Sequence, residues 1–219
     1  VERGKYLANN VSSCIHCHST HNEGVFGRPP IAGTEGMGGT LFGREEGLPG
    51  DIYAPNITPY ALGSWTDGEI VRSISCGVNK DNKPLFPLMP YLSVGKMSKE
   101  DVYSIVSYLR TLKPIETKKN PERSLDFPLN MIVNAMPKEA EYQPIPDKKN
   151  KVLYGKYMTN AAGCFVCHTQ MDKGEAIKGK DFAGGEKFKL KGKGTVISPN
   201  ITPDMETGIG AWKKEDFIR

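Results

Sequence analysis

Residues 14–18 read CIHCH, and residues 164–168 read CFVCH. Each places two thiols three positions apart, with a histidine directly after the second. The match extends outward. GKYLANNVSSCIHCH (4–18) is answered by GKYMTNAAGCFVCH (155–168), which is one residue shorter. APNITPYALGSW (54–65) is answered by SPNITPDMETGIGAW (198–212), three residues longer, and DGEIVR (67–72) by KEDFIR (214–219). All three blocks keep the same order, which is the signature of a duplicated module.

The repeat organises the chain into a first module over 1–113, a proline-rich linker over 114–150 and a second module over 151–219. Six prolines in the linker (114, 121, 128, 137, 144 and 146) forbid a long helix and favour an extended connector, although LDFPLNMIVNAM is too apolar to be a mere tether. The first module continues over 73–113 beyond the residue that matches Arg219, and no counterpart follows, so the second module is expected to be truncated at its C-terminus.

The periodicities predict a mainly α fold with long loops and little sheet. Residues 2–11 read as a helix ending just before the first thiol. In SKEDVYSIVSYLRTLK, Ser98 is the expected N-cap with Asp101 in the manner of a capping box. Val102, Ile105, Val106, Leu109 and Leu112 then share one face. WTDGEIVRSI offers a second helix capped by Thr66 and Glu69. Nine of the 27 residues from Gly24 to Gly50 are glycine, a loop free to wrap around something flat.

Bulk properties exclude some functions. The 219 residues are 38% hydrophobic with 24 Gly and 16 Pro, which suits loop-rich domains with modest cores. A net charge of +4 from 29 basic and 25 acidic side chains is too balanced to indicate nucleic acid. No apolar run approaches the roughly 18–20 residues that span a bilayer, which leaves membrane association to a further terminus or a partner. VERGKYL carries no n-region or h-region of an export signal. Seven lysines against three acids in 173–193 are a solvated loop or a docking face for an acidic partner.

Four of the five cysteines lie in the two C-x-x-C pairs, which does not resemble a disulfide framework; Cys76 stands alone as a redox thiol or a small buried residue. A C-x-x-C pair can hold zinc, perform thiol redox chemistry or attach haem. The histidine directly after the second thiol decides for haem. Thioether bonds from Cys14 and Cys17 fix the porphyrin edge beside the chain and direct His18 at the iron, and Cys164, Cys167 and His168 repeat the device. A six-coordinate iron needs another ligand, and the first module offers Met89 in PLFPLMPYL, where prolines at 84, 87 and 90 restrict the loop. Met97, at a helix entrance, reads as packing, and Met37 and Met131 are poorly placed. Histidine with methionine raises the potential and leaves no open position, which describes an electron carrier.

GKYL, CIHCH, YAPNITP, GSWTDGEIVRSI, GVNKDNKPLFPLMPY and MSKEDVYSIVSYLR together resemble a class I cytochrome c domain of the multihaem cytochrome c subunits paired with membrane-associated alcohol, aldehyde and gluconate dehydrogenases. The resemblance covers nearly all of the first module and the available part of the second. It implies that the methionine of MPY, here Met89, is the distal ligand. The matching methionine of the second module would fall near position 236, and Met171 and Met205 are poor substitutes, so that haem's sixth ligand is unassigned.

The resulting expectation is two tandem class I-like cytochrome c domains with two covalent haems. They would pass single electrons between redox protein partners (a dehydrogenase, an oxidase or a small cytochrome) in the bacterial periplasm or an equivalent extracytoplasmic space. A dihaem enzyme, either a cytochrome c peroxidase or a thiosulfate dehydrogenase, is one alternative, and a structural zinc module the other. His16 and His21 read as surface or propionate-side histidines. Asn56 and Asn200, beside Trp65 and Trp212, either contact haem propionates or belong to a rigid turn. Gly4 and Gly155 are candidates for a close crossing with the helix around Tyr108, and on that reading the second module, lacking the partner helix, is the less stable half.

Overall fold

A computed structural model of the chain describes residues 1–25, 27–172, 175–190 and 194–218. It is helical and sheet-poor, 34% helix against 12% strand, in line with the periodicities. In chain order the helices are Glu2–Tyr6 (α1), Cys14–Cys17 (α2), Pro59–Leu62 (α3), Asp67–Cys76 (α4), Tyr91–Val94 (α5), Lys99–Leu109 (α6), Leu129–Ile132 (α7), Lys151–Ala161 (α8) and Cys164–His168 (α9). Strands Leu41–Phe42 (β1), Gly50–Tyr53 (β2) and Ser124–Leu125 (β3) form one antiparallel sheet in that order. Met171–Asp172 (β4) pairs with Glu175–Ala176 (β5), and Lys187–Leu190 (β6) with Gly194–Ile197 (β7), both antiparallel.

Two compact units result: Val1–Arg44 with Leu48–Ala162, and Glu45–Gly47 with Gly163–Arg219. In the first, α1 runs directly into a π turn, Leu7–Val11, and crosses α6. The crossing is close because position 4 has no side chain; a Cβ on Gly4 would overlap the Ser104 carbonyl oxygen. Leu7, Ala8 and Val11 then meet Val102, Ile105 and Leu109 of α6 in one core with Ile15, Val94 and Met97. Each fully buried aliphatic side chain of this set stabilises the fold by about 1.5–3 kcal/mol. Met97 is fully buried, its sulfur 3.8 Å from Ser12 Oγ, so it is packing.

The helix caps separate two sequence signals that look alike. At α4, Thr66 Oγ1 accepts from the Glu69 amide at 3.2 Å while Glu69 Oε2 accepts from the Thr66 amide at 2.7 Å, a complete capping box. At α6 the expected box is half made. Asp101 N donates to Ser98 Oγ at 3.0 Å, but the Asp101 carboxylate turns away to Arg3 (2.9 and 2.7 Å) and the Tyr157 hydroxyl (2.7 Å). A buried carboxylate needs a cation more than it needs a neutral amide. The Ser98 amide is satisfied by Tyr157 Oη at 3.0 Å instead.

The connector 114–150 forms no long helix, yet it is bonded along its length to the first module. Asn56 Nδ2 donates to Ile115 O at 2.8 Å, Asn120 Nδ2 to Ala54 O at 2.9 Å, and Arg123 Nη1 to Pro84 O at 2.8 Å. β3 pairs with β2, Lys138 N donates to Cys76 O at 3.2 Å, and Gln143 N to Met97 O at 3.3 Å. Val133 is buried. The connector is a strap, because proline removes donors without preventing its remaining amides and side chains from bonding.

Helix α8 lies in the first unit, where Tyr157 and Ala161 join the core. Its glycine behaves differently from Gly4: a Cβ on Gly155 would meet nothing within 4 Å. The second unit comprises α9, the two hairpins and the 198–212 turn. Its described side chains bury little, with Phe165 against Phe182 at 5.5 Å and Trp212 against Phe217 at 5.2 Å.

Candidate haem-attachment sites

Cys14, Cys17 and His18 are brought together by one helical turn, entered through Ser13 in a left-handed conformation (φ 51°). The second set is entered through Gly163 with φ 67°, on α9. Burial pushes the Cys14 thiol up to about 12, with Cys17 the next cause, and burial also raises Cys17 and Cys167. Among the described residues no three His, Cys, Asp or Glu side chains converge as a metal cluster, which the zinc reading requires.

The histidines are fixed by a backbone acceptor. His18 Nδ1 lies 2.7 Å from the Pro55 carbonyl oxygen, and His168 Nδ1 lies 2.9 Å from that of Pro199. A carbonyl only accepts, so Nδ1 carries the proton and Nε2 is the lone-pair nitrogen, the arrangement an iron ligand needs. His18 is 7% exposed, and desolvation holds it below the ordinary imidazole range, partly opposed by Pro55.

Around each histidine the same bonds recur. Gly38 N donates to His18 O at 2.9 Å and Gly184 N to His168 O at 2.7 Å. Gly39 N donates to Ala54 O, and Gly185 N to Ser198 O, both at 2.9 Å. Ser19 Oγ accepts from Gly36 N at 3.2 Å, and Thr169 Oγ1 from Phe182 N at 3.0 Å. Gly38 and Gly184 sit at φ 73° and 72° and so close to the Pro55 and Pro199 backbone that a Cβ would overlap it. These glycine doublets escaped the sequence reading, although GG occurs after each CxxCH and before each PNITP.

The asparagines of PNITP belong to the turn. Asn56 Oδ1 accepts from the amide and hydroxyl of Thr58, both at 2.8 Å, and its Nδ2 is taken by Ile115 O and Thr117 Oγ1. Asn200 Oδ1 accepts from Thr202 in the same way, and its Nδ2 donates to Thr207 Oγ1 at 2.9 Å. The rigid-turn reading therefore replaces the propionate reading at these positions, because the side-chain donors and acceptors are already committed.

Met89 sits on a half-buried turn before α5, with its amide bonded to Phe86 O at 3.1 Å and its carbonyl to Tyr91 N at 2.7 Å. Leu85 N to Gly77 O at 2.7 Å ties the start of this loop to the end of α4. Met131 and Met205 are exposed. Cys76 is half-buried at the end of α4, its sulfur 3.7 Å from Ser75 Oγ. Of the lysine-rich stretch, Lys178, Lys180, Lys187 and Lys189 are exposed, while Lys173, Lys191 and Lys193 lie outside the described residues, as does Arg219 of the last repeat block.

A c-type haem fits these residues. Paired thiols, an imidazole presenting Nε2 and glycine loops that admit close backbone approach match its edge and iron. His21 Nε2, Arg28 Nε and Arg72 Nε are buried in the first unit with no partner among the described residues.

No protein-family model matches the chain. It is 30% identical to the cytochrome c subunit of alcohol dehydrogenase (quinone) of Gluconacetobacter polyoxogenes, over 99% of this chain and 46% of that protein. The chain is a relative of the cytochrome c subunits of dehydrogenases. The fructose dehydrogenase cytochrome subunit of Gluconobacter japonicus is 27% identical over all of this chain and 44% of its own length. A diheme cytochrome c-type protein of Cereibacter sphaeroides is 26% identical over 88% of this chain and 64% of its own. This cytochrome c relative thus spans about half the length of the dehydrogenase subunits it matches. Those relatives are cytochrome subunits of dehydrogenases, and the kinship implies covalently bound haem c. Among the described residues no helix is long and apolar enough to cross a membrane.

Proposed function

We propose that the chain is a dihaem c-type cytochrome that passes single electrons between redox proteins, one of them a dehydrogenase, outside the bacterial cytoplasm. Each haem supplies a one-electron iron couple when bound. The two modules of the repeat, 1–113 and 151–219, each carry one attachment site and are joined by the strap 114–150. Cys14 and Cys17, and Cys164 and Cys167, hold the ring edges. His18 and His168 present Nε2 to iron while Pro55 and Pro199 hold their Nδ1 protons, and Met89 is the distal ligand of the first site. Exposed lysines of 178–189 steer an acidic partner through weak, salt-sensitive encounters.

The observation that carries this reading is the pair of histidine-to-proline bonds, 2.7 and 2.9 Å, each directly after a C-x-x-C pair. Two sites with the same donor set favour a carrier over a peroxidase or thiosulfate dehydrogenase, which would need one site specialised for substrate.

The test is haem counting. Protein matured in a host with a c-type haem attachment system should carry two haems by intact mass and pyridine haemochrome. Cys14→Ser with Cys17→Ser should leave one, on the second module. A colourless wild-type preparation would end the proposal.

A further inference from the structure

The first repeat is one residue longer than the second between its GKY and its first thiol: ten positions separate Gly4 from Cys14, and nine separate Gly155 from Cys164. The backbone shows where that residue goes. Helix α8 stays a regular α-helix up to Ala161, whereas α1 gives way to the π turn Leu7–Val11, closed by the Ser12 amide on Leu7 O at 2.8 Å. A π turn takes in one extra residue, and such turns gather at functional sites. The residue that it delivers here is Ser12, two positions before Cys14.

Ser12 Oγ donates to Ala161 O at 3.2 Å. That carbonyl belongs to the last turn of α8, where the helix itself supplies no donor, and Ala161 is buried. Ser12 has a single hydroxyl proton. Its other neighbour, the Met97 sulfur at 3.8 Å, is a weak acceptor, so the proton goes to the carbonyl. Counting back from the thiol, the counterpart of Ser12 in the second repeat is Ala162, which has no hydroxyl.

Both partners of this bond lie in the first unit, and each leads along the chain to a different attachment motif. Ser12 precedes Cys14 by two residues, and Ala161 precedes Cys164 by three. In sequence the two thiols are 150 residues apart. Through the Ser12 hydroxyl the route is two residue steps, one hydrogen bond and three further steps. Electron tunnelling decays more slowly through bonded atoms than across a gap, so a hydrogen bond that completes such a route raises the coupling of its ends.

We infer that Ser12 is a positioning residue for electron exchange between the two attachment sites, its hydroxyl tying the root of the second motif to the root of the first. This rests on the dihaem reading. With both groups attached, one electron leaves ferrous iron at one site and reduces ferric iron at the other; no proton moves, and Ser12 keeps its own. A helix cap without that role would contribute to stability and leave the exchange untouched.

The experiment uses the full chain with two haems, counted first by intact mass and haemochrome, so that failure of the dihaem reading is seen before this inference is tested. In half-reduced protein, NMR exchange spectroscopy between the haem methyl resonances of the two oxidation states gives the exchange rate. Dilution separates the intramolecular part from collisions. Wild type should show a concentration-independent rate. Ser12→Ala should lower it severalfold with both midpoint potentials unchanged, and Ser12→Thr, which keeps the hydroxyl, should recover most of the loss. A Ser12→Ala rate equal to that of wild type identifies a cap alone and overturns the inference, as does a loss that Ser12→Thr shares in full. Exchange in wild type that vanishes on dilution overturns it without any variant, and so decides the matter even where Ser12→Ala fails to fold.

Discussion

At His18 the two ring nitrogens have separate tasks. The Pro55 carbonyl at 2.7 Å holds the proton on Nδ1 and orients the ring, which leaves Nε2 as the basic atom. Met89, the proposed distal ligand, lies on a turn whose course is set by neighbouring prolines and by the Leu85–Gly77 bond of 2.7 Å. Met89→Ala should remove the near-infrared methionine-to-iron band from the oxidised spectrum and lower the first haem's potential, both readable by spectroelectrochemistry. A spectrum that keeps the band assigns the ligand to another sulfur. The cysteines, the histidines and Met89 could be proposed from the sequence because their chemistry resides in side chains. The Pro55 and Pro199 carbonyls were not, since a backbone acceptor has no residue identity of its own. The roles of Asn56 and Asn200 were left between two readings for a related reason: a side-chain amide suits a turn as well as a ligand, and only the bonded partners decide.

At the scale of elements, one repeat position has opposite requirements in its two copies. Gly4 is the point where α1 passes the backbone of α6, whereas Gly155 faces open space within the same kind of helix. Gly4→Ala must push the helices apart or distort the π turn, and it should destabilise by about 1–3 kcal/mol in denaturant titrations. Gly155→Ala gains helix propensity without a clash and should stabilise by roughly 0.5–1 kcal/mol. Equal effects at both positions would mean that the crossing is absent in solution. Periodicity located α4 and α6 with their apolar faces, and the Thr66–Glu69 box formed as the spacing required. The matching box at Ser98 did not, because Asp101 is buried and Arg3, nearly a hundred residues away in sequence, competes for its carboxylate.

For the whole molecule the feature to test is the docking of α8 onto the first module. Tyr157 donates to Asp101 Oδ2 at 2.7 Å and accepts from the Ser98 amide at 3.0 Å, while Arg3 holds the other side of that carboxylate. Burial, together with Asp101, pushes the Tyr157 hydroxyl up from 10.0 to about 12. A folded-state value above the unfolded one means stability that is complete below pH 10 and lost as pH rises towards 12. Tyr157→Phe should abolish that component of the alkaline loss and lower stability at neutral pH, by about 1–3 kcal/mol for the two hydrogen bonds lost. Parallel pH profiles of variant and wild type in thermal unfolding would show that the hydroxyl is not held as described.

The sequence alone determined the local chemistry: two C-x-x-C-H devices, their shared order with PNITP, the helix faces and the proline-rich connector. These depend on spacing and residue type, which the chain carries wherever it folds. Tertiary structure decided everything that depends on competition between distant groups. It put Arg3 rather than the Ser98 amide on Asp101, drew α8 into the core of the first unit and bonded the connector down as a strap. It also left His21 Nε2 and Arg28 Nε buried without a hydrogen-bond partner among the described residues. A buried polar atom takes whichever partner the fold brings near it, and distance along the sequence does not rank those partners.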